Sequence, residues 1–211
     1  CDEGILMGEK SWQKGGILKT YSALNFADFV KRCAEKNPQK ELEYTQKSIE
    51  ALKEASVMQP KNSRTWIFMG GFTNVLAAKE KNSEEKSQKI LRARQYLEKA
   101  LEISPQRIEA LIQLEINYMV AGDYKSMEKT AKECIQINPR LGTCYWYLGI
   151  AQIFMGEKTE GEKNIAESKV KGFTNPPLLQ LAAAYLNKKY YTDAAKIYDY
   201  LTQENFSNAE F

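Results

Sequence analysis

Between residues 108 and 141 the chain reads IEALIQLEINYMVAGDYKSMEKTAKECIQINPRL. Apolar residues recur at three- and four-residue intervals on both sides of a break at Gly122-Asp123, which is typical of two amphipathic helices around a tight turn. The stretch closes on Asn138-Pro139, 34 residues after the similar turn at Ser104-Pro105. A repeat of this length predicts helix hairpins that stack on one another.

The flanking sequence has the same layout. Residues 142–174 read GTCYWYLGIAQIFMGEKTEGEKNIAESKVKGFT, and residues 175–208 follow the pattern again. We predict an all-α fold, a right-handed α-solenoid of about five helix hairpins over residues 17–211, preceded by an N-terminal arm at 1–16. The repeats span about 21–62, 63–107, 108–141, 142–174 and 175–208. The first two fit more loosely, and an extra stretch lengthens the hairpin of the second.

The unit 142–174 also carries a motif of large and small residues, namely Tyr145, Leu148-Gly149, Gly161, Ile165 and Ser168. This motif resembles the tetratricopeptide repeat (TPR) family, whose first helix carries an aromatic residue and Leu-Gly and whose second helix carries small residues. Small side chains at Gly149 and Gly161 are expected to let the two helices of a hairpin approach closely. The resemblance implies a binding or assembly scaffold.

Four further stretches suggest a narrower relationship: ALNFADFVKRCAEK, ELEYTQKSIEALKEA, WIFMGGFTNVLAAKE and ECIQINPRLGTCYW. Together they look like the TPR tail of bacterial membrane proteins related to O-antigen ligases and polymerases. That resemblance implies an extracytoplasmic location, periplasmic or extracellular, although a short relative in the cytoplasm is also compatible with it. The chain begins at Cys1, as a processed bacterial lipoprotein or a fragment of a longer protein would.

Composition excludes several classes of function. Lys and Arg total 30 against 27 Asp and Glu, and a net charge of +3 gives no reason to expect nucleic acid as a partner. No stretch approaches the ~20 consecutive apolar residues of a membrane-spanning helix. The chain has no histidine, no phosphate-binding glycine loop and no nucleophile elbow, so we expect no enzymatic activity, no cofactor and no metal site.

Cys134 and Cys144 lie five residues on either side of Pro139. If the helices that flank this proline are antiparallel, the two thiols face each other and can form a disulfide, which persists only in an oxidising compartment. The alternative is that each is a small buried apolar residue.

In the TPR family the first helix of each repeat lines a concave groove. By that layout the groove consists of Arg64, Ile67, Phe68, Ile112, Ile116, Met119, Trp146, Tyr147, Ile150, Ile153, Leu179, Ala183 and Leu186. These residues are mostly apolar, so we predict binding of an apolar peptide or helix rather than of an acidic tail, with Trp146 and Tyr147 as the main anchors. The alternative is that neighbouring first helices bury much of this stripe against each other.

The two ends of the chain suggest other functions. The arm carries Ile5, Leu6, Met7 and Trp12 beside glycines that favour an extended conformation, and no polar cap is visible before Ala209-Glu210-Phe211. One alternative function is therefore a structural protomer, in which the arm of one copy docks on another and builds a head-to-tail extracellular filament. Another is an accessory domain of a cell-envelope glycan ligase or polymerase.

Overall fold

The computed structural model describes residues 1–13 and 19–207. Within these residues the chain forms eleven α-helices, one 3₁₀ turn at Pro38–Lys40 and no strand, so the predicted all-α fold is confirmed. The helices are α1 (Asp2–Gln13), α2 (Lys19–Lys36), α3 (Glu41–Met58), α4 (Ser63–Lys79), α5 (Ser83–Ile103), α6 (Ile108–Ala121), α7 (Tyr124–Ile137), α8 (Gly142–Met155), α9 (Lys158–Val170), α10 (Leu178–Asn187) and α11 (Tyr191–Ser207). They fall into two compact units, Cys1–Ala121 and Gly122–Phe211.

Short polar side chains begin several of these helices. Asn62 accepts a hydrogen bond from a backbone N–H group of the first turn of α4, and Asn82 accepts two such bonds in α5. Asp123 does the same for the N–H group of Ser126 at the start of α7, with an N···O distance of 3.1 Å. Each bond satisfies a donor that the helix itself leaves unpaired. The tight turn predicted at Gly122-Asp123 is present, with Gly122 in the left-handed region at φ 74°.

The core of the first unit joins successive helices. One cluster connects α2, α3 and α4 and consists of Leu24, Ala27, Ile49, Leu52, Met69 and Phe72. A smaller cluster connects α4, α5 and α6 and consists of Ile67, Ala100 and Ala110. The extra stretch of this repeat lengthens α5 to 21 residues, against 14 in α7.

The second unit contains the close helix contact that its sequence predicts. A Cβ atom added to Gly149 on α8 would lie 2.6 Å from the backbone oxygen of Gly161 on α9, and one added to Gly161 would lie 2.8 Å from the backbone oxygen of Gly149. The backbones of α8 and α9 therefore touch, and large neighbours interlock around this point. Tyr124 of α7 stacks on Phe154 of α8 with ring centroids 4.2 Å apart.

The N-terminal arm is a docked helix rather than an extended segment, which corrects the sequence prediction. Ile5 of α1 is 2% exposed and belongs to a core cluster with residues of α2 and α3, whereas Leu6 and Met7 are exposed. The glycines of the arm allow close packing instead of an extended conformation. Cβ atoms on Gly4 and Gly8 would each lie 2.6 Å from a phenyl ring of α2, so α1 lies directly against these rings. The side chain of Trp12 and residues 14–16 lie outside what the structure describes.

Two disulfides join neighbouring helices. Cys134 of α7 is bonded to Cys144 of α8, with Cα atoms 5.7 Å apart. A second bond, which the sequence reasoning missed, joins Cys1 to Cys33 of α2 with Cα atoms 5.6 Å apart. Both Cα separations lie within the ordinary range for disulfides.

None of the described helices is both long enough and apolar enough to cross a membrane. The predicted uncapped end at Ala209-Glu210-Phe211 lies outside the described residues.

Candidate interaction surface

The predicted groove residues of the first unit lie on α4 and α6. Arg64 is exposed, and its guanidinium carbon lies 5.4 Å from the centroid of the Phe68 ring. Phe68 is half-buried and stacks on Phe72 at 6.0 Å, whereas Ile67 belongs to the core. This part of the surface therefore presents a cation above an aromatic ring.

On α6, the predicted groove residues Ile112, Ile116 and Met119 are all half-buried. A network of buried amides fixes this helix against α4 and α5. Asn117 donates to Asn74 at 2.8 Å and to the backbone oxygen of Ile90 at 3.0 Å, and it accepts from Arg94 at 3.2 Å. Because the amide oxygen and the amide nitrogen both have partners, the network anchors α6 at low cost in desolvation.

The predicted anchors on α8 are not available to a partner, and this part of the prediction is corrected. Trp146, Ile150 and Ile153 are 0% exposed and Tyr147 is 5% exposed. The indole N–H of Trp146 donates to the side-chain oxygen of Gln180 on α10 at 3.3 Å. The stripe of α8 is thus buried in the folded chain, as the alternative interpretation of the sequence expected.

The equivalent stripe on α10 is exposed. Leu179, Ala183 and Leu186 follow Trp146, Ile150 and Ile153 by 33 residues each, so they occupy the same positions one repeat later. Leu179 is 62% exposed and Leu186 42% exposed, and Ala183 between them is also exposed. Among the described residues no further helix covers α10 as α10 covers α8. The three side chains form an apolar stripe along two turns of one helix face.

A charged and aromatic network holds α10 in position. Lys158 of α9 donates to Asp193 of α11 at 2.5 Å, and its ammonium group lies 5.1 Å from the ring centroid of Tyr190. The hydrogen bond from Lys158 lowers the pKa of Asp193 and the bond to Asp193 raises the pKa of Lys158. Tyr185 of α10 donates to Glu162 of α9 at 2.9 Å, and burial together with this bond raises the pKa of Tyr185.

Glu115 on α6 is a buried polar residue that the sequence reasoning missed. It is 0% exposed, and neither carboxylate oxygen has a hydrogen-bond partner among the described residues. Burial raises its pKa well above the ordinary value of 4.5. The sequence contains a pattern that could have identified it. Glu115 follows Leu114 as Gly149 follows Leu148, so Glu115 occupies the position at which the next repeat has a closely packed glycine.

The described residues contain no cluster of three or more Cys, Asp or Glu side chains placed to hold a metal ion, and the chain has no histidine. Some carboxylates, such as Glu102 with Lys99 and Glu160 with Lys163, form exposed ion pairs of the kind that contribute little to stability. The surfaces on α4, α6 and α10 offer apolar and aromatic contacts.

Comparison with solved structures agrees with this architecture. The crystal structure of TTC0263, a thermophilic TPR protein of Thermus thermophilus, matches with a TM-score of 0.59 at 14% identity, over 92% of this chain and 98% of that one. The crystal structure of MamA matches with a TM-score of 0.52 at 18% identity, over 78% of this chain and 93% of that one. The fold is therefore that of TPR solenoid proteins, as predicted.

No protein-family model matches the sequence, and no curated protein matches it either. The narrower resemblance to the tails of O-antigen ligases and polymerases stays a prediction.

Proposed function

We propose that this protein is a non-catalytic interaction scaffold that binds an amphipathic helix of a partner protein on the α10 stripe, formed by Leu179, Ala183 and Leu186. The observation that supports this most directly is the exposure of the stripe, at 62% for Leu179 and 42% for Leu186. Exposed apolar residues grouped on one helix face are typical of protein-binding sites.

The nature of the ligand follows from the repeat. The positions of the stripe correspond to Trp146, Ile150 and Ile153 on α8, which are buried. On α8 the residue Trp146 is covered by a helix, α10, which supplies Gln180 as its polar partner, whereas Ile153 lies against Gly161 of α9. A helix with an apolar face is thus the ligand whose geometry this fold already accommodates. In the first unit, the Arg64–Phe68 pair on α4 is a second contact region of the proposal.

The proposed location is extracytoplasmic. All four cysteines are disulfide-bonded, and such bonds persist in oxidising compartments. A role as the accessory domain of a glycan ligase or polymerase would share this location, and no observation on the described residues favours it further.

The binding test uses a labelled synthetic peptide of residues 176–189, because this helix covers the equivalent face of α8. Fluorescence anisotropy measures its affinity for the wild-type chain and for the double variant Leu179→Glu, Leu186→Glu. Two charges in the apolar contact should weaken binding by at least about tenfold, the effect of 1.4 kcal/mol. Leu91→Glu on α5, another exposed leucine, should bind as the wild type does.

Failure of the wild-type chain to bind the peptide, or equal binding by the double variant, would contradict the proposal. Light scattering on the same samples tests the filament alternative. If the wild type forms multimers that the double variant does not form, the stripe binds a second copy and the partner-helix proposal is wrong. A monomeric wild type that binds the peptide supports it.

A further inference from the structure

Helix α1 leaves most of its described apolar side chains exposed. Of its described apolar side chains, at residues 5–7, only Ile5 is buried; Leu6 and Met7 are 52% and 72% exposed. Lys47 forms a half-buried pair with a glutamate of α1 at 3.0 Å, and Asp2 accepts from Lys40 in an exposed pair at 2.8 Å. Exposed pairs of this kind hold a helix weakly.

The sequence of α1 also disfavours a helix that is not docked. Gly4 and Gly8 fit against the phenyl rings of Phe29 and Phe26, but glycine inside a helix lowers its intrinsic stability. An isolated helix of 12 residues is marginal even with a favourable sequence. The helical state of α1 thus depends on its position against α2 and α3.

The Cys1–Cys33 disulfide supplies that position. It joins the residue before α1 to the buried face of α2, with Cα atoms 5.6 Å apart. A covalent link at this point keeps α1 at high effective concentration beside its docking face. Asp2, the first residue of α1, also accepts a hydrogen bond from the phenol of Tyr44 at 2.5 Å, so a polar contact adds to the covalent link at this end of α1.

The two disulfides differ in accessibility. Cys1 is exposed and Cys33 is 2% exposed, whereas Cys134 and Cys144 are both 0% exposed. Exchange with an external thiol requires access to a sulfur atom. A mild reductant therefore reaches the bond at Cys1 before it reaches the bond between α7 and α8.

We propose that α1 is a redox-releasable cap: reduction of the Cys1–Cys33 disulfide frees α1 and uncovers the apolar face of α2 and α3. That face consists of Ala23, Phe26, Val30, Cys33, Tyr44, Ala51 and Ala55. Helix α1 covers this face only while the bond is oxidised.

The reductant is a dithiol. One of its thiolates attacks the Cys1 sulfur, the S–S bond breaks, and Cys33 leaves as a thiolate that takes up a proton. The second thiol of the reductant then attacks the mixed disulfide and releases Cys1 as a thiol. The reductant leaves as a cyclic disulfide, and its two electrons and two protons reside in the two protein thiols.

Selective reduction is tested on the oxidised wild-type chain with dithiothreitol at low concentration under native conditions, followed by alkylation and mass spectrometry. Cys1 and Cys33 should be alkylated at least about tenfold faster than Cys134 and Cys144, because exchange follows access. Equal rates for the two pairs would overturn the proposal.

Release of α1 is tested by amide hydrogen exchange on two samples, the mildly reduced wild type and the oxidised Cys1→Ser variant. Cys1→Ser removes the bond at an exposed position and leaves the core side chains in place. In both samples the α1 amides should exchange at least about tenfold faster, with α4 to α9 unchanged, as expected for a local opening. The matched control is the double variant Cys134→Ala, Cys144→Ala, in which the α1 amides should keep their protection until reductant is added.

Two results would refute a releasable cap. If α1 keeps its protection in Cys1→Ser, its noncovalent contacts are sufficient. If α4 to α9 lose protection together with α1, the helix is an inseparable part of the fold. The cap and the α10 stripe lie on different helices, so each experiment can fail without the other.

Discussion

Replacement of Glu115 by glutamine is expected to remove a dependence of stability on pH. The carboxyl group is fully buried and has no hydrogen-bond partner among the residues that the structure describes. Burial penalises the charged form and raises the pKa well above 4.5. Glutamine has nearly the shape of the protonated acid but carries no charge at any pH.

The direction of the change in stability with pH depends on which state, folded or unfolded, binds more protons. Above pH 4.5 the unfolded chain releases the Glu115 proton while the folded chain keeps it, so the folded state binds more protons. The contribution of this group to stability is fully present below the ordinary pKa and is lost as pH rises through the raised pKa. The wild type should therefore lose stability relative to Glu115→Gln as the pH increases.

The size of the change in unfolding free energy is limited because only one proton is involved. The difference in unfolding free energy between wild type and variant can change by at most about 1.4 kcal/mol per pH unit, or about 2.7 kcal/mol from pH 5 to pH 7. Replacement by methionine removes the unpaired oxygens as well and should stabilise the protein by about 1–3 kcal/mol at neutral pH.

The assay is urea unfolding, followed by far-ultraviolet circular dichroism, at several pH values across this range. The other titrating groups are common to both proteins and cancel in the difference between them. Glu98→Gln, on the exposed face of α5, is the matched control and should follow the wild type. Parallel pH profiles for wild type and Glu115→Gln would refute the reasoning, as would a difference that shrinks with rising pH.

Three further predictions concern packing and the second disulfide. Gly149→Ala places a Cβ atom 2.6 Å from the backbone oxygen of Gly161 and should cost about 1–3 kcal/mol of unfolding free energy in urea; no loss would mean that α8 and α9 can separate freely. Asn117→Ala removes the hydrogen bonds that this buried residue makes to the side chains of Asn74 and Arg94, so the midpoint of thermal unfolding should fall by the equivalent of about 1–3 kcal/mol, and an unchanged midpoint would show that water replaces the amide. Replacement of Cys134 and Cys144 by alanine should cost about 3 kcal/mol by calorimetry, because the unfolded chain regains the freedom of a short loop; an equally stable variant would contradict that account.

The helix hairpins could be predicted from the sequence because their determinants are local. The repeat period, the Gly122-Asp123 turn and the glycines at 149 and 161 each act within one pair of helices. The Cys134–Cys144 disulfide, one of the two alternatives for these cysteines, could also be predicted locally, because both residues flank the turn at Pro139.

The state of the N-terminal arm could not be predicted in this way. Glycines beside apolar residues indicate an extended segment in the sequence, because glycine has a low helix propensity. In the structure these glycines allow α1 to lie against the rings of Phe26 and Phe29, a contact that no local pattern encodes. The Cys1–Cys33 bond spans 32 residues, so no local pattern pairs these two cysteines.

The candidate site was predicted only in part, because periodicity shows which face of a helix is apolar and not what covers that face. Trp146 and Leu179 occupy equivalent positions, and their patterns predict the same role. Their exposures, 0% and 62%, differ because α10 packs on α8 while the described chain supplies no helix that packs in the same way on α10.

This difference explains why the proposed binding surface lies on α10 and not on α8. The apolar stripe of α8 is buried within the folded chain, so the free energy of covering it contributes to folding. On α10 the stripe is exposed in the described chain, so a partner that covers it would gain this free energy on binding. The Lys158–Asp193 and Tyr185–Glu162 contacts hold α10 in place, so a partner helix would meet a preformed surface and lose less entropy on binding.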